Sequence, residues 1–142
     1  MNAVLLDTDI WLDIVLDRPE KAYALGAAMA CQEENIDIYI CATSLKDIFY
    51  LVNHAHGQAA AYRAIHLLLE IAKLAAVDTA VCRAALGYEV PDYEDGIVTA
   101  CALTEQVDAV VTRDKASFAG HAFAKYTPQE FVHALGYEEM RW

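Results

Sequence analysis

The stretch that decides the fold is Ala3-Val4-Leu5-Leu6-Asp7-Thr8-Asp9-Ile10-Trp11-Leu12. It begins with a short apolar run at residues 4–6, which is typical of a buried strand. Apolar side chains then recur at helical spacing across residues 10–15, and we predict that Thr8 or Asp9 caps this helix. A buried strand that leads into a helix through an acidic turn is a building unit of α/β proteins.

The same alternation of strands and helices continues along the rest of the chain. Further strands are predicted at residues 36–41, 74–77, 109–112 and 123–126. Further helices are predicted at residues 19–33, 45–54, 58–73, 79–86, 93–106 and 128–135, with a loop at 115–120. This order predicts a three-layer α/β/α sandwich with a central parallel sheet. The chain has 142 residues, and we expect a single domain over residues 1–142.

The composition argues against two classes of protein. Apolar residues make up 57% of the chain, but charges interrupt every apolar run well before ~18 residues, so no membrane span is predicted. No basic and apolar leader precedes the first predicted strand, and we therefore expect a cytoplasmic protein. The four cysteines include no C-x-x-C pair and are expected to be reduced, mostly buried thiols.

The net charge of −11 is unusual for a protein that binds nucleic acid, because phosphate contacts need lysine and arginine. Two explanations compete. The acidic surface keeps the protein in solution, or part of the negative charge is gathered in one place to hold a cation.

Four acidic residues fall where the predicted fold can bring them together. Asp7 and Asp114 come just after two predicted strands, and Asp95 lies in the first turn of a predicted helix. Ser44 is a predicted N-cap, which places Asp47 in the first turn of the next helix. Ligands of parallel sheets bind at the carboxyl ends of the strands, so we expect these carboxylates to converge there.

Each of these positions also has an interpretation without a ligand. Acids in the first turn of a helix complement the helix dipole. Asp7 alone is an ordinary turn or cap residue, and Asp114 alone is an ordinary solvated charge. Four carboxylates at one point repel one another unless a cation lies among them. Their hard oxygen ligands favour Mg²⁺ or Mn²⁺, which can activate water for phosphodiester cleavage.

Several segments, in this order, resemble the PIN-domain nucleases, and in particular the VapC-like toxins. They are Val4-Leu5-Leu6-Asp7-Thr8-Asp9-Ile10, Ala42-Thr43-Ser44-Leu45-Lys46-Asp47-Ile48, Asp92-Tyr93-Glu94-Asp95-Gly96-Ile97, Asp108-Ala109-Val110-Val111-Thr112-Arg113-Asp114 and Tyr126-Thr127-Pro128-Gln129-Glu130-Phe131. The resemblance covers nearly the whole chain. It implies an endoribonuclease that depends on Mg²⁺ or Mn²⁺, forms a homodimer and is inhibited by a small antitoxin protein.

The resemblance also implies roles for individual residues. Asp7, Asp95 and Asp114 would bind the metal, and the Thr112 hydroxyl would orient the acids or a water molecule. Asp47 would complete the catalytic set, although many family members have Glu at this position. RNA would meet a few cations, namely Arg18, Lys46 and Arg113.

Two other functions compete with the nuclease. The same fold without activity would be a module that binds RNA or a protein partner, and the acidic charge and the shorter Asp47 favour this somewhat. A phosphatase is the third hypothesis, because Asp7-Thr8-Asp9 is similar to the D-x-D motif of haloacid-dehalogenase-like enzymes. Trp11 stands where those enzymes usually have Thr or Val, and the chain leaves little room for their cap.

Overall fold

The computed structural model describes residues 1–118, 121 and 123–140. The strands are β1 (Ala3–Leu6), β2 (Asp37–Cys41), β3 (Lys73–Ala75), β4 (Ala109–Val111) and β5 (Ala124–Tyr126). The helices are α1 (Thr8–Val15), α2 (Lys21–Glu33), α3 (Ala42–His56), α4 (Gln58–Ile71), α5 (Thr79–Ala85), α6 (Tyr93–Thr104) and α7 (Pro128–Ala134). A short 3₁₀ helix spans Lys115–Phe118. None of the described helices is both long and apolar enough to cross a membrane.

The strands form one parallel sheet in the order β3-β2-β1-β4-β5. β1 lies at the centre, and its last residue, Leu6, is in register with Val111 at the end of β4. The carboxyl ends of the two strands therefore stand side by side at one edge of the sheet. This is the edge at which parallel sheets bind ligands.

Helices cover both faces of the sheet. Successive side chains of β1 point to opposite faces, so they contribute to two separate cores. Val4 and Leu6 belong to a core that also contains apolar residues of α1, α2, α3, α4 and α7. Leu5 belongs to a second core, built with α5, α6 and Phe118 of the 3₁₀ helix. Val4, Leu5 and Leu6 are all fully buried. The predicted three-layer α/β/α sandwich with a parallel sheet is confirmed.

The start of α3 differs from the prediction. Ser44 is buried inside the helix, and its hydroxyl lies 2.6 Å from Thr8 Oγ1 in α1. Cys41, the last residue of β2, occupies the N-cap position, so the strand passes directly into a helix that begins at Ala42. The predictions that Ser44 caps this helix and that Asp47 lies in its first turn are therefore wrong. The Ser44 hydroxyl contacts Thr8 of another helix and does not cap α3.

The cap of α1 also differs, since Asp7 occupies the N-cap position and accepts a hydrogen bond from the Thr8 amide. Thr8 and Asp9, the predicted caps, lie inside the helix. Residues 115–118 form the 3₁₀ helix where a loop was predicted, and residues 119–120 lie outside the described residues. The predicted caps of α5, α6 and α7 are confirmed at Asp78, Asp92 and Thr127. The four cysteines are free, and all but Cys82 are buried.

Candidate active site

The adjacent ends of β1 and β4 place Asp7 beside Thr112. The Asp7 amide donates a hydrogen bond to Val111 O at 2.9 Å, which extends the strand pairing by one residue. The Asp7 carboxylate accepts two hydrogen bonds, from the Thr8 amide at 2.8 Å and from Thr112 Oγ1 at 2.9 Å. Its orientation is therefore fixed on both oxygens.

Asp114 is attached to the same threonine. Its amide donates a hydrogen bond to Thr112 Oγ1 at 3.0 Å, and the Thr112 side chain is buried. Ser117 Oγ, in the 3₁₀ helix, donates to Asp114 Oδ2 at 2.5 Å. One buried hydroxyl thus joins the Asp7 carboxylate and the Asp114 amide. The role of Ser117 was missed, and its spacing of three residues from Asp114 is the only signal for it in the sequence.

Asp95 lies in the first turn of α6, as predicted. Asp92 caps this helix, and its Oδ1 accepts a hydrogen bond from the Asp95 amide at 2.9 Å. The preceding residue, Glu94, lies in the same turn. The helix start therefore brings a cluster of acids to the site rather than a single carboxylate.

These acids line one groove with a volume of about 450 Å³. Seven of its lining residues are acidic: Asp7, Asp9, Asp47, Asp92, Glu94, Asp95 and Asp114. The remaining described lining residues are neutral, namely Thr8, Leu12, Tyr50 and Leu51. All four predicted carboxylates thus reach the same groove, although Asp47 comes from further along its helix than expected.

Burial and neighbouring negative charges raise the pKa of several of these carboxyl groups. Burial, followed by the charges of Asp92 and Asp7, raises the pKa of Asp95 from its ordinary value of 3.8 to about 7. Burial also raises the pKa of Asp7, against the lowering effect of the hydrogen bonds from Thr112 and Thr8. Burial and the charge of Asp47 raise the pKa of Glu94. A bound cation would relieve this repulsion.

The carboxylates surround the groove without closing on one point. Among the described residues, no three acidic, histidine or cysteine side chains are arranged to hold a metal ion. Asp47 contacts Lys46, whose Nζ lies 3.1 Å from Oδ1. The donor set of carboxylate oxygens suits a hard divalent cation, but its members stand apart in the structure.

The cations expected to meet RNA are already paired. Arg113 contacts Asp13 through Nε at 2.9 Å, and Arg18 Nη1 lies 3.7 Å from the same carboxylate. Lys46 contacts Asp47. The positive charges that the sequence offered for phosphate contacts are therefore partly neutralised within the chain itself. The pairing of Asp13 was not predicted, and its nearer partner, Arg113, lies 100 positions away in the chain.

Comparison with known proteins identifies the fold. Residues 3–116 match the PIN domain family. A search of curated protein sequences gives no significant match. Among solved structures, VapBC-1 from nontypeable Haemophilus influenzae aligns with a TM-score of 0.67 and 14% identity, covering 89% of this chain and 98% of the other.

Two further structures are similar. VapBC2 from Rickettsia felis, bound to a DNA fragment from its promoter, has a TM-score of 0.66 and 15% identity, covering 88% of this chain and 98% of the other. Mycobacterium tuberculosis VapC20, described as a toxin that cleaves the sarcin-ricin loop, has a TM-score of 0.58 and 14% identity, covering 96% and 98%. At such low identity these likenesses concern the fold. The family match spans most of the chain, and the protein therefore belongs to the PIN domain family.

Proposed function

We propose that this PIN domain is an endoribonuclease that hydrolyses RNA phosphodiester bonds with Mg²⁺ or Mn²⁺. The observation that carries the proposal is the groove at the carboxyl ends of β1 and β4, which is lined by seven acidic residues. Burial, together with the charges of neighbouring carboxylates, raises the pKa of Asp95 and Asp7, so the site favours binding of positive charge. PIN family membership supports a nuclease over the phosphatase that the D-x-D motif suggested.

Asp7, Asp95 and Asp114 are the residues that would hold the metal, with Asp47 in support. When bound there, a divalent cation would activate water and stabilise negative charge on phosphate oxygens. Carboxylate oxygens are the ligands that Mg²⁺ and Mn²⁺ prefer, so the chemistry of these donors suits the ion, although no three described side chains are arranged to hold it.

The chain's own contribution is to orient these acids. Thr112 holds Asp7 through its hydroxyl proton and receives the amide of Asp114 on the same oxygen. Ser117 fixes the second carboxylate, and Asp92 fixes the helix turn that carries Asp95. Groups that orient metal-binding carboxylates are typically worth 10–100-fold in metal affinity or activity.

We further propose that the protein is the toxin of a type II toxin–antitoxin pair. This rests on the shared fold with VapC20 and with the two VapBC proteins. A small antitoxin partner, a homodimer and a cytoplasmic location follow from the proposal. The single domain over residues 1–142 stays a prediction. Co-expression with the product of a short neighbouring gene, followed by purification and light scattering, tests the partner and the oligomeric state together.

Cleavage of RNA by the purified protein tests the nuclease. We expect hydrolysis that requires Mg²⁺ or Mn²⁺ and stops with EDTA, and Asp7→Asn should abolish it while the protein remains folded. Asp37→Asn is the matched control, because Asp37 pairs with Lys73 on the surface and does not line the groove. Cleavage retained by Asp7→Asn, with contaminating nuclease excluded, would contradict the assignment.

One observation favours a second function, a PIN-fold module that binds RNA or a protein partner without cleaving RNA. Among the described residues, no lysine or arginine lines the groove, and no three acids are arranged to hold an ion. Calorimetric titration distinguishes the two functions. Absence of Mn²⁺ binding together with tight binding of a partner protein would favour the binding module.

A further inference from the structure

Asp13 is a fully buried acidic residue that the proposed reaction does not use. It lies in α1 and its side chain has no exposed surface. A buried carboxylate is costly without a partner of opposite charge. Arg113 is the nearer of two such partners, with Nε 2.9 Å from Oδ2 and Nη2 donating to Oδ1 at 3.2 Å, while Arg18 Nη1 lies 3.7 Å from Oδ1. A two-point contact of this kind fixes the orientation of the guanidinium as well as its charge.

Arg113 occupies a particular place in the chain, because it stands between Thr112 and Asp114. Thr112 is hydrogen-bonded to Asp7, the N-cap residue of α1. Arg113 contacts Asp13, which lies in the second turn of the same helix. The segment 112–114 is therefore attached to α1 at two points. One attachment is inside the groove and the other is outside it, since neither Asp13 nor Arg113 lines the groove.

We propose that Asp13 is a positioning residue for the nuclease, and that it acts by holding the Arg113 guanidinium away from the acidic groove. The inference rests on the proposed function. An arginine remains charged at every physiological pH, so its position decides where that charge acts. Held by Asp13, Arg113 fixes the loop that carries Asp114 and leaves the groove carboxylates free for a divalent cation.

Without Asp13, Arg113 would compete with the metal ion for the groove carboxylates. Arg113 is adjacent to Asp114, and the groove carboxylates carry excess negative charge that attracts any free cation nearby. A guanidinium that turned toward them would neutralise part of the charge that the metal needs. The proposal therefore predicts a loss of metal affinity that depends on the presence of Arg113.

Mn²⁺ titration by calorimetry tests this in three proteins: wild type, Asp13→Asn, and the double variant Asp13→Asn/Arg113→Gln. Asp13→Asn keeps the side-chain shape and is expected to weaken Mn²⁺ binding by about 10-fold or more, the scale of effects from residues that orient metal ligands. The double variant, which lacks the competing charge, is expected to regain most of the affinity. A purely structural role would lower the melting temperature of both variants and give no recovery.

Further variants complete the design. Arg113→Lys keeps the charge but loses the two-point contact. If Asp13→Asn does not fold, Arg113→Lys and Arg113→Gln are compared instead, and we expect the lysine variant to bind Mn²⁺ more weakly. Asp37→Asn is the matched control and should bind Mn²⁺ as the wild type does, because its exposed pair with Lys73 is remote from the groove.

The possible failures are distinguishable. If the wild type binds no Mn²⁺, the proposed function is wrong and the inference falls with it. If the wild type binds Mn²⁺ and Asp13→Asn binds it equally well, only the role of Asp13 is wrong. If the double variant binds Mn²⁺ as weakly as Asp13→Asn does, Arg113 does not compete with the ion and the proposal is wrong.

Discussion

Thr112 Oγ1 donates a hydrogen bond to Asp7 Oδ2 at 2.9 Å, although the two residues lie 105 positions apart in the chain. The hydroxyl has a single proton, and because Asp7 receives it, the lone pairs of the oxygen remain free for the Asp114 amide at 3.0 Å. One buried atom therefore joins the Asp7 carboxylate to the backbone of Asp114.

Thr112→Val should reduce both RNA cleavage and the stability of the folded protein. Valine has nearly the same shape but leaves the Asp7 carboxylate and the Asp114 amide without their shared partner. We expect a 10–100-fold loss of RNA cleavage and a loss of about 1–3 kcal/mol in the free energy of unfolding. Thr112→Ser, which keeps the hydroxyl, should retain most of the activity. Equal loss in both variants would show that the methyl group, and not the hydrogen bonds, matters.

The stability of the protein without divalent cations should fall as the pH rises from 5 to 8. The pKa of Asp95 is about 7 in the folded protein and near its ordinary value of 3.8 when unfolded. Between these values the folded state binds more protons than the unfolded state, so a rise in pH favours unfolding. The raised pKa of Asp7 and of Glu94 acts in the same direction. Thermal unfolding in EDTA across this range measures the effect.

Asp95→Asn is the control for this pH dependence. The variant lacks the titrating carboxylate and should show a smaller fall in melting temperature over the same range. Mn²⁺ should stabilise the wild type more at pH 8 than at pH 5, because the ion competes with protons for the same oxygens. An unchanged slope in Asp95→Asn would mean that other groups titrate.

Asp47 should matter less than Asp7. Its side chain is 37% exposed, and Lys46 Nζ lies 3.1 Å from its carboxylate. We expect Asp47→Asn to reduce cleavage by a smaller factor than Asp7→Asn, because Lys46 already offsets part of the Asp47 charge. Asp47→Glu should equal or exceed the wild type, since one more methylene extends the carboxylate into the groove. If Asp47→Asn proved as inactive as Asp7→Asn in the same cleavage assay, Asp47 would have to be counted among the central acids.

Gly96→Ala should destabilise the protein although alanine is the better helix former. A Cβ at Gly96 would lie 2.6 Å from the carbonyl oxygen of Ala85, so α5 and α6 would have to separate. Overpacking of this kind costs about 1–3 kcal/mol, which outweighs the gain of about 1 kcal/mol in helix propensity. Gly87→Ala is the matched control, because its Cβ would meet the Ala84 oxygen at an ordinary 3.5 Å. Urea denaturation of both variants measures the difference, and equal stability would contradict the close packing.

Local sequence patterns were enough for the order of the elements and for most of the acids. The apolar run before Asp7 and the caps Asp92 and Thr127 depend on neighbours within a few residues, and such signals can be read along the chain. The parallel sheet then follows from the alternation of strands and helices, and it implies that Asp7 and Asp114 meet at one edge.

The remaining features depend on contacts between residues that are distant in sequence. Ser44 is a residue type that often caps helices, yet its hydroxyl contacts Thr8, 36 positions away, and α3 already begins at Ala42. The pair of Asp13 with Arg113 joins residues 100 positions apart. No local pattern encodes such pairs, because they form only when the folded chain brings α1 against the end of β4. The raised pKa of Asp95 has the same origin, since burial and charges from separate elements produce it together.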